Sequence, residues 1–233
     1  MKLTRSVSRL RRQAKTMSRD NAVPLHVALD TIAQQNGFAR WSLLIAQNPQ
    51  LTPPEQFFAL MSPGDLTLIA ARRNQGKTRF ALDLARLAAR AGLWTKIYSF
   101  EYTDAELRNH LTTEDADDAI ALNCSDEVSA QTIADDLAQA GRPSFILIDY
   151  MQALDHQRSK PDLGTQLEIL KTAAQDHSAI ICLISQIDRA FDDNDKRFPD
   201  IDDLRLPNPI APHLFSVGAF LNKGSITFQT VQP

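Results

Sequence analysis

The feature that most restricts the fold is one stretch of chain between Leu66 and Ala91. An apolar, strand-like run, Leu66-Thr-Leu-Ile-Ala-Ala71, leads directly into Ala71-Arg-Arg-Asn-Gln-Gly-Lys-Thr78, and a helical pattern, Gly76–Ala91, starts within it. Strand, loop and helix in that order match the phosphate-binding pattern G-x-x-x-x-G-K-S/T, with Ala71 in the first glycine position. Such a loop turns backbone N–H groups toward phosphate oxygens, and the positive end of the following helix adds to the attraction. The expected cofactor-binding set is Ala71, Arg72, Arg73, Asn74, Gln75, Gly76, Lys77, Thr78 and Arg79. Lys77 would neutralise the β- and γ-phosphates and Thr78 would hold Mg²⁺ through its hydroxyl, so ATP and Mg²⁺ are the expected cofactors. A chance Gly-Lys-Thr at a helix start is the competing reading, and the strand before it weighs against that.

The rest of the chain supplies the partners such a loop needs. Strand-like runs at Leu66–Ala71, Thr95–Phe100, Asp118–Leu122, Phe145–Ile148 and Ala179–Ser185 alternate with helical patterns at Gly76–Ala91, Ala105–Leu111, Ser129–Ala140 and Gly164–Asp176. That alternation predicts βαβ units and a buried, mostly parallel sheet flanked by helices; Leu214–Leu221 and Ser225–Val231 read as a closing antiparallel hairpin. A P-loop also needs an acid at the end of a second buried strand to complete the magnesium shell. Ser144-Phe-Ile-Leu-Ile-Asp149 provides Asp149, whose alternative reading is an ordinary strand-end turn residue.

Residues 1–47 read differently. Leu3, Val7, Leu10, Ala14 and Met17 are spaced along one helical stripe, a second helical pattern starts near Pro24 and ends by Gly37, and Trp41–Ala46 is a third. The 233-residue chain has a net charge of −3, yet residues 1–20 carry seven basic side chains against Asp20 alone. The expected organisation is therefore a basic helical unit over 1–47, a linker over 48–56 with three prolines in Asn48–Pro54, and an α/β domain over 57–233. The basic arm makes DNA a candidate partner through Arg5, Arg9, Arg12 and Lys15, with a solvated face or an acidic protein surface as the alternatives.

Composition closes off several other classes. Hydrophobic residues at 43% and charged residues at 23% fit a globular chain, two cysteines cannot build a disulfide framework, and the scattered histidines show no zinc-ligand spacing. The longest apolar stretch, within Ala179–Ile184, is too short for a membrane span, and a cytoplasmic location is expected.

The segment Pro63-Gly-Asp-Leu-Thr-Leu-Ile-Ala-Ala-Arg-Arg-Asn-Gln-Gly-Lys-Thr-Arg-Phe-Ala-Leu-Asp-Leu-Ala85 resembles the P-loop region of bacterial replicative helicases of the DnaB type, within the RecA-like ATPases, where alanine commonly takes the first loop position. Three further stretches extend the resemblance over about residues 57–231, in the family's order. Ile97-Tyr-Ser-Phe-Glu101 is similar to the strand carrying the catalytic glutamate, Ile148-Asp-Tyr-Met-Gln152 to the magnesium-aspartate strand, and Leu183-Ile-Ser-Gln-Ile-Asp-Arg189 to the γ-phosphate sensor. The resemblance implies a RecA-like fold in which Glu101 activates the attacking water, beside Lys77 and Gln186, the latter sensing the γ-phosphate. A helix-capping acid and a structural strand-end glutamine are the plain alternatives for Glu101 and Gln186.

Departures from that family are equally specific. There, a neighbouring subunit inserts a lysine and an arginine from a C-terminal hairpin; here the corresponding Phe220–Phe228 has a tight turn at Asn222, Lys223 and Gly224, and no arginine follows Arg205. Since an arginine finger is worth about 10³–10⁵ in rate, slow or partner-dependent hydrolysis is expected unless Lys223 or another protein supplies the charge. The sequence offers no counterpart of the family's primase-binding domain or linker helix, so a hexamer is not implied. DNA-facing loops would lie at Asp155–Lys160 and Arg189–Arg197, offering Arg158, Lys160, Lys196 and Arg197, although the aspartates of the second loop oppose a polyanion. The expected function is a slowly hydrolysing, helicase-like or accessory ATPase near DNA, and the alternative is a nucleotide-dependent protein-interaction switch.

Overall fold

A computed structural model of the chain describes residues 7–21, 23–46, 51–111, 119–155, 160–206 and 210–230, which fall into two compact units, 1–60 and 61–233. In the first unit, α1 (Val7–Asp20), α2 (Leu25–Gln35), α3 (Trp41–Ala46) and α4 (Pro53–Leu60) enclose a small core. The stripe read from the sequence is its floor: Val7, Leu10 and Ala14 of α1 are buried against Leu29 and Ile32 of α2 and Leu44 and Ile45 of α3. Asp30 accepts from the Trp41 backbone N–H at 2.8 Å, and the Trp41 indole N–H donates to the Ala59 carbonyl at 3.2 Å, tying α2, α3 and α4 together.

The linker expected over 48–56 is in part a helix. Thr52 caps α4 through its exchange with Glu55, whose Oε2 accepts from the Thr52 N–H at 2.7 Å and from its hydroxyl at 2.8 Å. Pro53 and Pro54 then occupy the first turn, where a missing N–H costs nothing. The proline cluster thus marks a helix start, and the boundary between the units falls after Leu60, later than the sequence suggested.

In the second unit, seven strands among the described residues form one sheet in the order β3-β2-β4-β5-β1-β6-β7. These are β1 (Leu66–Ala71), β2 (Trp94–Ser99), β3 (Ile120–Asn123), β4 (Ser144–Asp149), β5 (Ile180–Gln186), β6 (Val217–Asn222) and β7 (Ser225–Thr230). All pairings are parallel except β6 with β7. β1, β4 and β5 are buried almost throughout, which is why they read as unbroken apolar runs rather than alternating ones. The helices are α5 (Lys77–Arg90), α6 (Asp104–Leu111), α7 (Ala130–Ala140) and α8 (Leu163–Asp176). Leu66, Leu68, Ile146, Ile148, Ile181 and Leu183 share a core cluster with Ile133 and Leu137 of α7 and Leu167 and Leu170 of α8. Residues of the opposite parity, such as Ile69, Ile97 and Leu147, are also buried, and α5 packs against β1, β2 and β4. Helices on both faces leave the C-terminal ends of the parallel strands as the open edge, where α/β sheets of this kind bind ligands. Asp118 and Val231, at the ends of two expected strands, lie outside the described residues.

Candidate nucleotide site

The sheet register alone assembles the site. Ala71 at the end of β1 pairs with Gln186 at the end of β5, and Ser99 at the end of β2 pairs with Asp149 at the end of β4. Four motifs separated by up to about a hundred residues therefore arrive at one edge. Between β1 and α5 the loop Arg72–Gly76 turns sharply: Asn74 has φ +59°, and Gly76, the residue before α5, has φ +83°. A side chain at Gly76 would meet no atom within 4 Å, so its backbone conformation, not lack of space, is what calls for glycine there.

A cleft of about 850 Å³ opens over this loop, lined by Arg73, Asn74, Gly76, Lys77, Thr78 and Arg79 on one side and Glu101, Tyr102 and Gln186 on the other. Lys77 Nζ donates to the Arg72 carbonyl at 3.1 Å, so the lysine folds over the loop. Burial lowers its pKa, against the opposing pull of the Asp149 and Glu101 carboxylates. Asp149 is 2% exposed, and among the described residues Oδ1 has no hydrogen-bond partner. Its other oxygen, Oδ2, accepts from the Thr78 hydroxyl at a long 3.4 Å. Burial first, and repulsion from Glu101 second, push the Asp149 carboxyl up to about 7.

A buried carboxylate with an idle oxygen beside a threonine hydroxyl fits a magnesium site. Mg²⁺ is usually held by one or two protein oxygens plus waters and phosphates, rather than by a complete protein cage. Among the described residues there is indeed no cluster of three or more His, Cys, Asp or Glu that would form such a cage. Thr78 and Asp149 would hold the ion, and the nucleotide would complete its shell.

Glu101 stands two residues beyond β2, on a turn fastened by Ser99, whose Oγ accepts from the N–H groups of Glu101 at 3.3 Å and Tyr102 at 3.0 Å. Its side chain is exposed to the cleft. The capping alternative belongs to other residues: Glu106 accepts from the Thr103 N–H at 2.8 Å and the Glu106 N–H donates to Thr103 Oγ1, closing the start of α6. Gln186 forms a wall between the main cleft and a second cavity of about 680 Å³ that also borders Arg73, Tyr150, Gln152 and Arg205.

Not every residue of the loop faces the cleft. Arg72 is turned to the segment after β5, paired with Asp192 at 2.9 Å and donating to the Ile187 carbonyl at 3.2 Å. Gln75 Oε1 accepts from the Lys223 backbone N–H at 2.7 Å. Sequence reading also missed Tyr102 and His110, whose rings meet edge to face with centroids 5.5 Å apart beside the cleft. Neither belongs to a motif, and only the fold of α6 back toward the loop brings them there.

The nucleic-acid candidates divide. Arg9, Arg12 and Lys15 are exposed on α1, and the first two border an open cavity of about 1000 Å³ between α1 and α2. Lys160 is occupied internally, donating to the carbonyls of Asp126 at 2.7 Å and Val128 at 2.8 Å and lying over the Phe100 ring. Lys196 is paired with Asp200 and Asp203, each at 3.0 Å, and the Arg197 guanidinium stacks on Phe198. Arg5 and Arg158 lie outside the described residues.

No protein-family model matches the chain, and no curated protein does. Solved structures do. The ATPase domain of a DnaB-like helicase superposes with a TM-score of 0.60 at 19% identity, over 70% of this chain and 71% of that one. A DnaB-like replicative helicase, described with its interactions with primase, gives 0.59 at 15% identity, over 91% of this chain and 65% of that one. The chain thus has the RecA-like α/β fold of DnaB-like helicase ATPase domains. Among the described residues no helix is long and apolar enough to cross a membrane.

Proposed function

We propose that the protein binds ATP with Mg²⁺ at this edge and hydrolyses it slowly, as a helicase-like or accessory ATPase acting on or near DNA. The observation that carries the proposal is the convergence of Lys77, Thr78, Asp149, Glu101 and Gln186 on one strand edge, with a buried oxygen of Asp149 left without a partner among the described residues. Mg²⁺, held by Thr78 and Asp149, would supply charge neutralisation for the transferred phosphoryl group. Lys77 and the loop N–H groups bind and orient the phosphates. Glu101 would hold the attacking water and accept its proton, and Gln186 would donate to the γ-phosphate oxygens and shift when they leave.

One feature supports the DNA assignment: the exposed cations of α1. A specific observation favours the second reading, a nucleotide-dependent switch for a protein partner. Lys160 and Lys196, two of the loop cations, are satisfied within the fold and offer little to a phosphate backbone. ATP turnover with and without single-stranded DNA separates the two. Stimulation by DNA, losing strength steeply with salt, is expected of the first; turnover indifferent to DNA would remove it and leave the switch.

A further inference from the structure

Gln186 is placed by its backbone. Its side chain borders the cleft, and among the described residues the amide has no hydrogen-bond partner. The main chain around it, by contrast, is gripped from both sides. On one side β5 pairs with β1, and the Ile187 N–H donates to the Ala71 carbonyl at 3.1 Å. On the other, a strap of chain around Leu204 runs back along the strand end. There the Arg205 N–H donates to the Gln186 carbonyl at 2.8 Å, the Asp188 N–H donates to the Asp203 carbonyl at 2.8 Å, and Ile187 and Leu204 form an antiparallel bridge. The strap lies outside the seven strands of the sheet, and one side chain fastens it. Gln152, in the short 3₁₀ helix Met151–Asp155 that follows Asp149, is 9% exposed. Its Nε2 donates to Ser185 Oγ at 2.7 Å and to the Arg205 carbonyl at 2.9 Å. A carbonyl can only accept, which fixes the end of the amide that faces Arg205. The other end, Oε1, is buried with no partner among the described residues. An unpaired buried acceptor is a cost to the fold, so stability alone does not account for a glutamine at this position.

We propose that Gln152 is a positioning residue for Gln186. It holds the side chain of Ser185, the residue before Gln186, and it holds the strap whose Arg205 N–H grips the Gln186 carbonyl. Because Gln152 lies three residues after Asp149, this bracket also ties the sensor to the segment that carries the metal-binding carboxylate. The inference rests on the nucleotide reading above and on the role given there to Gln186. A hydrogen bond to a phosphate oxygen needs a donor within about 2.7 to 3.2 Å, so an amide with no other anchor makes that bond only if its backbone is aimed correctly.

The test measures the affinities of the full chain for fluorescent ATP and ADP analogues, with Mg²⁺, and takes their ratio. Only ATP carries the γ-phosphate, so Gln186→Ala should lower the preference for ATP by about tenfold, the loss expected for one hydrogen bond to a charged group. Gln152→Met nearly keeps the side-chain volume and removes both donated bonds; it should lower the same ratio by about threefold or more, with ADP affinity retained. Should that variant not fold, Ser185→Ala, which removes one of the two acceptors, carries the same expectation with a smaller drop. The double variant Gln152→Met/Gln186→Ala should lose no more than Gln186→Ala alone, because one residue acts through the other. A glutamine that merely stabilised the fold would lower the melting temperature and leave the ratio where it was. Lys77→Ala separates the failures. A parent that binds neither analogue, or a Lys77→Ala chain that binds both as well as the parent, removes the nucleotide reading and this inference with it. An unchanged ratio in Gln186→Ala removes the sensor and the inference together. A lowered ratio in Gln186→Ala beside an unchanged one in Gln152→Met, or losses that add in the double variant, would overturn the positioning role and leave the nucleotide site standing.

Discussion

Replacing Asp149 by asparagine should stabilise the metal-free protein, increasingly so as pH rises. The carboxyl is 2% exposed, Oδ1 has no partner among the described residues, and burial together with Glu101 raises its pKa from 3.8 to about 7. The folded state therefore holds this proton more tightly than the unfolded chain does. Protonation favours the fold, and that advantage, complete below the unfolded value, is lost as pH climbs through the window from 3.8 to about 7. By linkage the full loss is about 4 kcal/mol, of which about 2 to 3 kcal/mol falls between pH 5 and pH 8. An amide in place of the carboxyl carries no charge and escapes the loss. Urea unfolding in EDTA, followed by Trp94 fluorescence in a Trp41→Phe background, isolates the unit that contains the site. With a urea dependence of about 2 kcal/mol per molar, the midpoint of Asp149→Asn should gain about 1 M on its parent between the two pH values. A difference that stays constant with pH to within about 0.5 kcal/mol would refute the reasoning, because only the ionisation of Asp149 separates the two proteins.

Other consequences are simpler to check. Gln166, fully buried, accepts from the Ala130 N–H and donates to the Leu154 and Pro161 carbonyls; Gln166→Leu should cost about 2 to 3 kcal/mol in urea unfolding because it strands three backbone groups. Cys182, fully buried with its thiol pushed up to about 12, should react with a thiol reagent only on unfolding, while the partly exposed Cys124 reacts in the native protein. Charge neutralisation at Arg9, Arg12 and Lys15 should weaken DNA binding at low salt and flatten its salt dependence, by a slope of about 0.9 for each duplex phosphate no longer neutralised; an unchanged slope would assign the arm to another partner.

How much of this was legible in the chain follows from locality. The P-loop is contiguous, so strand, turn and helix could be read together, and three buried strands that meet there announced themselves as apolar runs ending in Ala71, Asp149 and Gln186, with Glu101 two residues past the end of β2. The prolines of 48–54 misled because proline is equally at home in a linker and in a first helical turn; only the Thr52–Glu55 pairing separates the two. Interactions across long sequence separations left no pattern to read. The Arg72–Asp192 pair, the Gln75–Lys223 hydrogen bond and the capture of Lys160 by two carbonyls depend on which loops the sheet order makes neighbours. Charge counting alone had offered Lys160 and Lys196 to DNA, whereas the folded chain uses both to fasten its own loops.

The most direct test of the site is single-turnover ATP hydrolysis, with Mg²⁺, by the full chain and by Glu101→Gln at matched nucleotide occupancy. The geometry predicts slow turnover in the parent and at least a hundredfold loss in Glu101→Gln, a factor of about 10² being the low end for removing a general base, with ATP affinity retained. Hydrolysis that survives the substitution undiminished, or an intact chain that binds no ATP, would contradict the assignment of this strand edge as the catalytic centre.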